Sequence, residues 1–249
     1  MLRRYRADLL IALLLLIPLL ILLAPVTIGG KTLIPADNLF AFEPWRSFAG
    51  EMGVSVPHNE LLSDLILENY VWKKFILECL RQRQLPLWNP YIFAGMPFLA
   101  TGQHSALYPL TALFYMLPLH RAYGIYTVLQ LWLAGLSMYF LARVLGVSRF
   151  GSTVAALTYE LSGFFIVSVV FPMIIAAASW LPAILACIEL TLRRIWRDGR
   201  TPVPFVALGA LFIGVHFLAG HAEISYYVAM VAVYYAVVRV AWLALTPSP

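Results

Sequence analysis

Charge is scarce in this chain of 249 residues. Charged residues make up 12% of the sequence and hydrophobic residues 62%, whereas a soluble domain is about a quarter charged and about half apolar. This balance excludes an ordinary soluble domain and indicates a protein that crosses a membrane several times. The formal charge of +5 does not indicate a nucleic-acid partner, because the basic residues cluster at the ends of apolar runs.

Cysteine is also scarce, and several common site patterns are missing. Cys79 and Cys187 have no metal-ligand spacing, and a disulfide between them is not expected because their predicted depths in the membrane differ. The sequence has no glycine-rich phosphate loop, no Ser-His-Asp arrangement and no zinc motif. None of these patterns therefore points to a function.

Long apolar runs are abundant, and runs of about 20 residues can cross the hydrocarbon core as helices. The first covers residues 9–28. It is predicted to be an uncleaved span, because its apolar core exceeds that of a signal peptide and Pro25 follows Ala24 at the potential cleavage point. A shorter run at residues 106–118 is predicted to be re-entrant or a short helix. Five further spans are predicted at residues 123–145, 151–171, 173–192, 203–220 and 222–245.

The positions of the arginines predict the topology of an all-α membrane domain with six spans. Three arginines precede the first span, and the turns at residues 143–149 and 193–200 hold further ones. The turns near Pro172 and Gly220 contain neither Lys nor Arg. With both chain ends in the cytoplasm, every short basic cluster lies inside. Residues 29–105, called the long loop below, are then extracytoplasmic.

The long loop contains one predicted helix, at about residues 60–84. Asn59 is a suitable N-cap, acids dominate the first turns, and Arg81 and Arg83 lie at the end. An amphipathic helix with aromatic and basic residues is predicted to lie along the outer membrane interface. Helical spacing predicts that the apolar side of this helix consists of Leu61, Leu65, Trp72, Phe75, Ile76 and Cys79. Glu68 also falls on this side, so the amphipathic pattern is imperfect.

Two acids of the long loop lie near the predicted membrane surface. Asp37 follows the first span, and Asp64 lies in the first turn of the predicted helix. A solvated loop acid is the simpler interpretation of each. Two acids on the same side of the membrane also suit a membrane transferase, which needs a general base there.

Pro, Gly and Asn punctuate the stretch LPLWNPYIFAGMPFLATGQHSALYP, residues 85–109. These residues mark turns, because Pro fixes φ, Gly allows positive φ and Asn bonds its own backbone. Composition by itself favours an irregular connector back to the bilayer, with Trp88 and Tyr91 as interface anchors.

The run LSDLILENYVWKKFILECLRQRQ together with LPLWNPYIFAGMPFLATGQHSALYPL resembles the N-terminal signature of the bacterial YfhO family. The later segments SGFF, WLP and AGHAEISYY are similar to the following helices of that family. Its members are polytopic proteins of the GT-C glycosyltransferase superfamily, so the resemblance implies a GT-C-like fold in the bacterial cytoplasmic (inner) membrane. Since members are several times longer, it also implies that this chain is the N-terminal part of a longer protein. The family's usual Gly before LPLWNP is Gln84 here.

The resemblance implies transfer of a sugar from a polyprenyl-phosphate donor to a glycan or lipid acceptor of the cell envelope. Asp64 matches the family's first-loop Asp and is the first candidate for the base, with Asp37 as its competitor. The leaving phosphate needs positive charge from Arg, Lys, His or a divalent cation, and no metal site can be named. The candidates for binding the substrates are Trp88, Asn89, Tyr91, Gln103, His104 and His221.

A non-enzymatic alternative is a transporter, a flippase subunit or an assembly partner for envelope polymers. A transporter is expected to have paired ionisable groups or broken helices at mid-membrane, and inverted repeats. Glu160 is the one ionisable residue predicted at mid-span, and no repeat is evident. Two other polar residues have structural interpretations: a helix–helix hydrogen bond for His216 and an ion pair between Glu189 and Arg193, four residues apart.

Overall fold

The computed structural model describes residues 2–54 and 59–246, and these fold almost entirely into helices. The only strands in these ranges are a short antiparallel pair, β1 (Trp88–Asn89) and β2 (Met96–Pro97). The α-helices are α1 (Leu2–Leu22), α2 (Ala24–Thr27), α3 (Tyr70–Arg81), α4 (Ala112–Met116), α5 (Leu119–Val144), α6 (Arg149–Glu160), α7 (Gly163–Val167), α8 (Pro172–Ala178), α9 (Leu181–Trp196), α10 (Val203–Leu218) and α11 (Ala222–Leu245).

Four helical stretches in the described ranges are long and apolar enough to cross a membrane: Leu119–Val144, Arg149–Val167, Pro172–Trp196 and Ala222–Leu245. The helix Val203–Leu218 is apolar but shorter. The chain is therefore a multi-pass α-helical membrane protein, as its composition predicted. The count of six spans and the orientation of the chain ends stay predictions.

Two of the predicted spans are interrupted helices. Pro182 causes the interruption between α8 and α9, because it has no backbone N–H to donate to the carbonyl of Ala178, four residues earlier. Inside a membrane such a freed carbonyl needs another donor, and the Tyr159 hydroxyl supplies it at 3.0 Å. The carbonyl of Ala177 lies 2.8 Å from His216 Nδ1. This bond confirms the predicted helix–helix contact of His216.

The helix α5 is the centre of the packing, since α1, α6, α8 and α9 all contact it. The Tyr123 hydroxyl on α5 donates to Asn69 Oδ1 at 2.8 Å, which ties the helical part of the long loop to the bundle. The Tyr108 hydroxyl donates to Gln130 Oε1 at 3.1 Å and so ties the end of the stretch 85–109 to the same helix. The long loop is therefore fastened to the membrane bundle by buried hydrogen bonds.

Glu189 joins α9 to α11 through a buried ionic network. Its side chain is 0% exposed and accepts from Arg193 Nε at 2.8 Å, which confirms the predicted ion pair. It also accepts from Arg239 Nε at 2.7 Å and from the Tyr235 hydroxyl at 2.9 Å. Each carboxyl oxygen therefore has a donor, although α11 contributes few buried residues.

The predicted helix of the long loop is made of pieces: the 3₁₀ turn Glu60–Leu62, the π-helical turn Leu65–Asn69 and α3. The prediction of its apolar side is wrong at Leu61, because this side chain is 85% exposed. The buried residues in this part are Leu65, Ile66, Asn69, Lys73 and Ile76. The π-helical turn adds a residue to the helical repeat, so spacing at 100° per residue does not identify the buried side across it.

Candidate functional site

The two candidate acids lie on or beside elements that contact each other. Asp37 is half-buried in the 3₁₀ helix Ala36–Ala41, and Asp64 is exposed directly before the π-helical turn Leu65–Asn69. These two elements pack together. Burial raises the pKa of Glu68, and the charge of Asp64 raises it further. The structure therefore gathers acidic residues in one part of the long loop.

A cavity of about 360 Å³ lies beside the two acids and is lined by Asn38, Ala41, Phe42, Arg46 and Ser63. Asn38 and Ser63 are the chain neighbours of Asp37 and Asp64. Asn38 is 1% exposed and donates through Nδ2 to the carbonyl of Asn59 at 2.8 Å.

The other end of the Asn38 amide has no such contact. Among the described residues, none donates to its buried Oδ1. Asn38 and the basic residue Arg46 both line the cavity, and such a lining suits a hydroxylated or anionic ligand. The sequence analysis did not identify Asn38 or Arg46 as site residues. The only signal in the sequence was that Asn38 is adjacent to Asp37.

The stretch 85–109 begins as a hairpin in which Trp88 faces Pro97 and Asn89 faces Met96. Gly95 has φ +114, and a Cβ there would lie 2.7 Å from Trp88 Nε1, so only glycine fits under the indole.

The two aromatic candidates and the Asn of this hairpin differ in exposure. Asn89 is 3% exposed, and its Oδ1 accepts from the backbone N–H of Tyr91 at 2.9 Å. This contact stabilises the turn itself. The aromatic side chains of Trp88 and Tyr91 are exposed, at 55% and 84% respectively. They remain available to a ligand.

His104 is buried, whereas its neighbour Gln103 is exposed. Nδ1 of His104 accepts from the backbone N–H of Ala106 at 3.0 Å, so Nε2 carries the proton and donates to the Phe98 carbonyl at 3.0 Å. The ring stacks on Phe98 with 4.3 Å between centroids. Burial lowers the pKa of this imidazole. His104 therefore holds the loop in shape as a neutral ring, and both of its nitrogens already have partners.

Lys73 is a buried cation that sequence reasoning missed. It is 2% exposed, donates from Nζ to the carbonyl of His104 at 2.5 Å, and lies over the ring of Phe114 at 4.9 Å. Burial lowers its pKa to about 7. Lys73 lies four residues after Asn69 and three before Ile76, so helical spacing puts it on the same buried side as these two residues. This signal was not used, because a lysine in an amphipathic helix is normally solvated.

A larger groove of about 690 Å³ runs between α3 and the segment from Phe114 to His120. Lys74, Arg81 and His120 bring basic groups to it, and Tyr70, Tyr91 and Tyr115 bring aromatic faces. Arg81 pairs with Glu78 at 3.7 Å, and both side chains are mainly exposed. Such a lining suits an amphiphile with an anionic head group.

The turn between α10 and α11 contacts the stretch 85–109 directly. Gly220 has φ +83, and a Cβ there would lie 2.0 Å from the carbonyl oxygen of Gly102. The Ser105 hydroxyl donates to the carbonyl of Ala219 at 2.6 Å. The tertiary fold therefore joins two segments that are more than a hundred residues apart in the chain.

His221 lies at this junction and caps α11, because its Nδ1 accepts from the backbone N–H of Ile224 at 3.2 Å. Burial lowers the pKa of its imidazole. The side chain also lines a cavity of about 470 Å³ with Thr101, Gly102 and Tyr226. One ring nitrogen is thus structural, and the cavity is a second place where a ligand could contact the stretch 85–109.

The described residues contain no group of three or more His, Cys, Asp or Glu side chains placed to hold a metal ion. Fold and sites together define a multi-pass helical membrane protein with a folded loop segment that carries acids, aromatic residues and bases. Comparison of the chain with models of known families, with curated proteins and with solved structures finds no match. The likeness to the YfhO family therefore rests on the quoted motifs.

Proposed function

We propose that this protein is a GT-C-type glycosyltransferase similar to the YfhO family. It transfers a sugar from a polyprenyl-phosphate donor to a glycan or lipid acceptor, at the extracytoplasmic face of the bacterial cytoplasmic membrane. The observation that carries this proposal is the packing of the Asp37 helix against the turn after Asp64, beside a cavity lined by Asn38 and Arg46.

Asp64 is the proposed general base. Its exposed carboxylate accepts the proton of the acceptor hydroxyl while that oxygen attacks the anomeric carbon, and the lipid phosphate leaves with the bonding electrons. Asp37, half-buried on the neighbouring element, is the competing base. In this proposal Asn38 and Arg46, which line the cavity, hold hydroxyl groups of the sugar or acceptor.

The groove along α3 supplies the positive charge that the leaving phosphate requires. Lys74, Arg81 and His120 line it together with aromatic rings. Cationic groups stabilise a departing phosphate, and the aromatic faces suit a sugar or an isoprenoid chain. Trp88 is a further exposed aromatic residue of the same loop.

The central experiment replaces Asp64 and Asp37 separately by Asn and measures envelope glycosylation in cells that carry the complete protein. Loss of a general base lowers the rate by about 100-fold or more. Glu51→Gln, an exposed acid of the same loop, is the matched control and should stay active. Normal activity of Asp64→Asn refutes its assignment as the base, and normal activity of both variants refutes the acidic-loop mechanism.

The groove is tested with Arg81→Gln, with Arg83→Gln as the control because Arg83 is exposed and does not line the groove. The first change is expected to raise KM for the lipid-linked donor and to leave KM for the acceptor unchanged. Equal effects of both changes on KM for the donor would mean that the groove does not hold the phosphate.

A second candidate function is transport of a lipid-linked or polymeric envelope intermediate. The interrupted helices α6–α7 and α8–α9 favour it, because broken helices commonly form binding sites in transporters. The assay is movement of a fluorescent lipid-linked sugar across vesicles that contain the purified protein. Movement that persists in Asp64→Asn and Asp37→Asn would support transport over transfer.

A further inference from the structure

Glu160 is an acid inside a membrane-crossing stretch, and the proposed transfer chemistry does not use it. It is the last residue of α6, its side chain is 0% exposed, and the helix breaks directly after it. Ionisable groups within membrane helices are rare and expensive to bury. The carboxyl at this break therefore requires a physical account.

The carboxyl of Glu160 lacks hydrogen-bond partners. Neither of its oxygens, both of them buried, has a donor or an acceptor among the residues that the structure describes. Its Oε2 is packed against the backbone of α5, so closely that a Cβ at Gly135 would lie 1.9 Å from it. The absence of a side chain at Gly135 thus leaves a recess, which the Glu160 carboxyl fills. Any larger residue at position 135 would close this recess.

The titratable groups whose side chains are described on α6, and on the helices α5 and α1 packed against it, are engaged elsewhere or exposed. On α1, Arg6 is exposed. Tyr139, Arg143 and Arg149 all contact Asp8, at 2.6, 3.8 and 3.0 Å respectively. Three tyrosines have other partners: Tyr159 contacts the Ala178 carbonyl at 3.0 Å, Tyr123 contacts Asn69 at 2.8 Å, and Tyr126 contacts the Pro172 carbonyl at 3.5 Å. His120 and Arg121 are exposed at the far end of α5.

An ionised carboxylate in this recess would lose its hydration and gain neither a cation nor a donor in return, so the neutral acid is the favoured form. We propose that Glu160 is a proton-binding site within the membrane. The carboxylic acid holds its proton at neutral pH while it is packed on Gly135.

Infrared spectroscopy of the full chain in micelles of a detergent without ester groups tests the protonation state, because ester carbonyls absorb where a carboxylic acid does. At neutral pH exposed Asp and Glu side chains are ionised, so a carboxylic-acid carbonyl band reports a buried protonated acid. The wild type should show this band, Glu160→Gln should lack it, and Glu189→Gln should keep it. A wild type without the band, or a band that persists in Glu160→Gln, overturns the proposal.

A chemical measurement assigns the site without any substitution. The O–H of a protonated carboxyl adds across lipid-soluble N,N′-dicyclohexylcarbodiimide, and the product rearranges to an N-acylurea, so the peptide gains one whole reagent molecule and nothing leaves. The adduct is expected on Glu160 and not on the equally buried Glu189. An adduct on Glu189 and none on Glu160 contradicts the assignment.

Discussion

Glu189 and Glu160 are both 0% exposed, yet their surroundings are opposite. Glu189 is held by Arg193, Arg239 and Tyr235, so its charge is neutralised within the fold. Glu160 contacts the backbone of Gly135 and has no hydrogen-bond partner among the described residues. The difference teaches that burial does not determine the charge of an acid, because the donors around it decide which form is stable.

Lys73 is an intermediate case in the long loop. It is as buried as the two acids, but it has one carbonyl acceptor and one aromatic face instead of a counter-ion. Its pKa is accordingly lowered by burial to about 7. The three residues form a series in which the number of compensating contacts falls from Glu189 through Lys73 to Glu160.

Removal of the Glu189 charge should have the largest effect on stability. Glu189→Gln leaves two arginines without their counter-ion, and loss of one partner of a buried ion pair costs about 3 kcal/mol when the remaining charges reach some solvent. Unfolding in mixed detergent micelles measures this loss. Asp198→Asn is the control, because its pair with Arg194 is at 3.4 Å and its side chain is 50% exposed. Similar losses in both variants would refute the importance of the buried network.

A methyl group in the recess should have the next largest effect. Gly135→Ala places a Cβ 1.9 Å from Glu160 Oε2, and overpacking of this kind costs about 2 kcal/mol. Gly163→Ala should change little, since nothing lies within 4 Å of a Cβ there. The loss from Gly135→Ala should shrink in a Glu160→Ala background. Equal losses in both backgrounds would show that the two residues are not coupled.

The stability of the wild type should depend on pH through Lys73. Its folded pKa of about 7 is below its ordinary value of 10.5, so between these values the unfolded chain binds a proton that the folded chain does not. Stability therefore rises with pH across this window, by about 1 kcal/mol per pH unit. Lys73→Met should remove the rise, and Lys74→Met, at the exposed neighbour, should keep it. Equal slopes in the wild type and Lys73→Met would contradict burial of the ammonium.

The smallest effect is expected for Glu160→Gln. A neutral amide of nearly the same shape replaces a neutral acid, so the free energy of unfolding at neutral pH should change by less than about 1 kcal/mol. The same substitution at Glu189 is expected to cost several times more. A large loss from Glu160→Gln, measured in the same micelles, would mean that Glu160 is ionised and has a partner.

Much of the fold could be predicted, because apolar runs and arginine positions are local signals. They identified the membrane class and the ion pair between Glu189 and Arg193. They did not predict the breaks in α6–α7 and α8–α9. Membrane helices tolerate Pro and Gly, so Pro182 by itself did not indicate whether the helix would continue. The carbonyls at the break between α8 and α9 are contacted by Tyr159 and His216, which reach across from other helices.

The candidate site was predictable only in its acids and aromatic residues. Asp37 was singled out by its position after the first span, and Asp64 by its place in the first turn of the predicted interfacial helix and by the resemblance to the YfhO family. Trp88 and Tyr91 were singled out by the motif. Asn38 and Arg46 lie on the 3₁₀ helices Ala36–Ala41 and Trp45–Phe48, which are too short for a periodic pattern to show their buried side. Lys73 follows the π-helical turn Leu65–Asn69, which changes the side of the helix that faces the protein.

The sequence by itself determined that this protein resides in a membrane, because twenty consecutive apolar residues cannot remain in water and can satisfy their backbone only as helices there. It also determined where turns occur in the stretch 85–109, through Pro, Gly and Asn. Only the tertiary structure decided that this stretch contacts Gly220, and that one buried acid has three partners while another has none among the described residues. Those outcomes depend on side chains brought together from distant parts of the chain, and local chemistry cannot specify their neighbours.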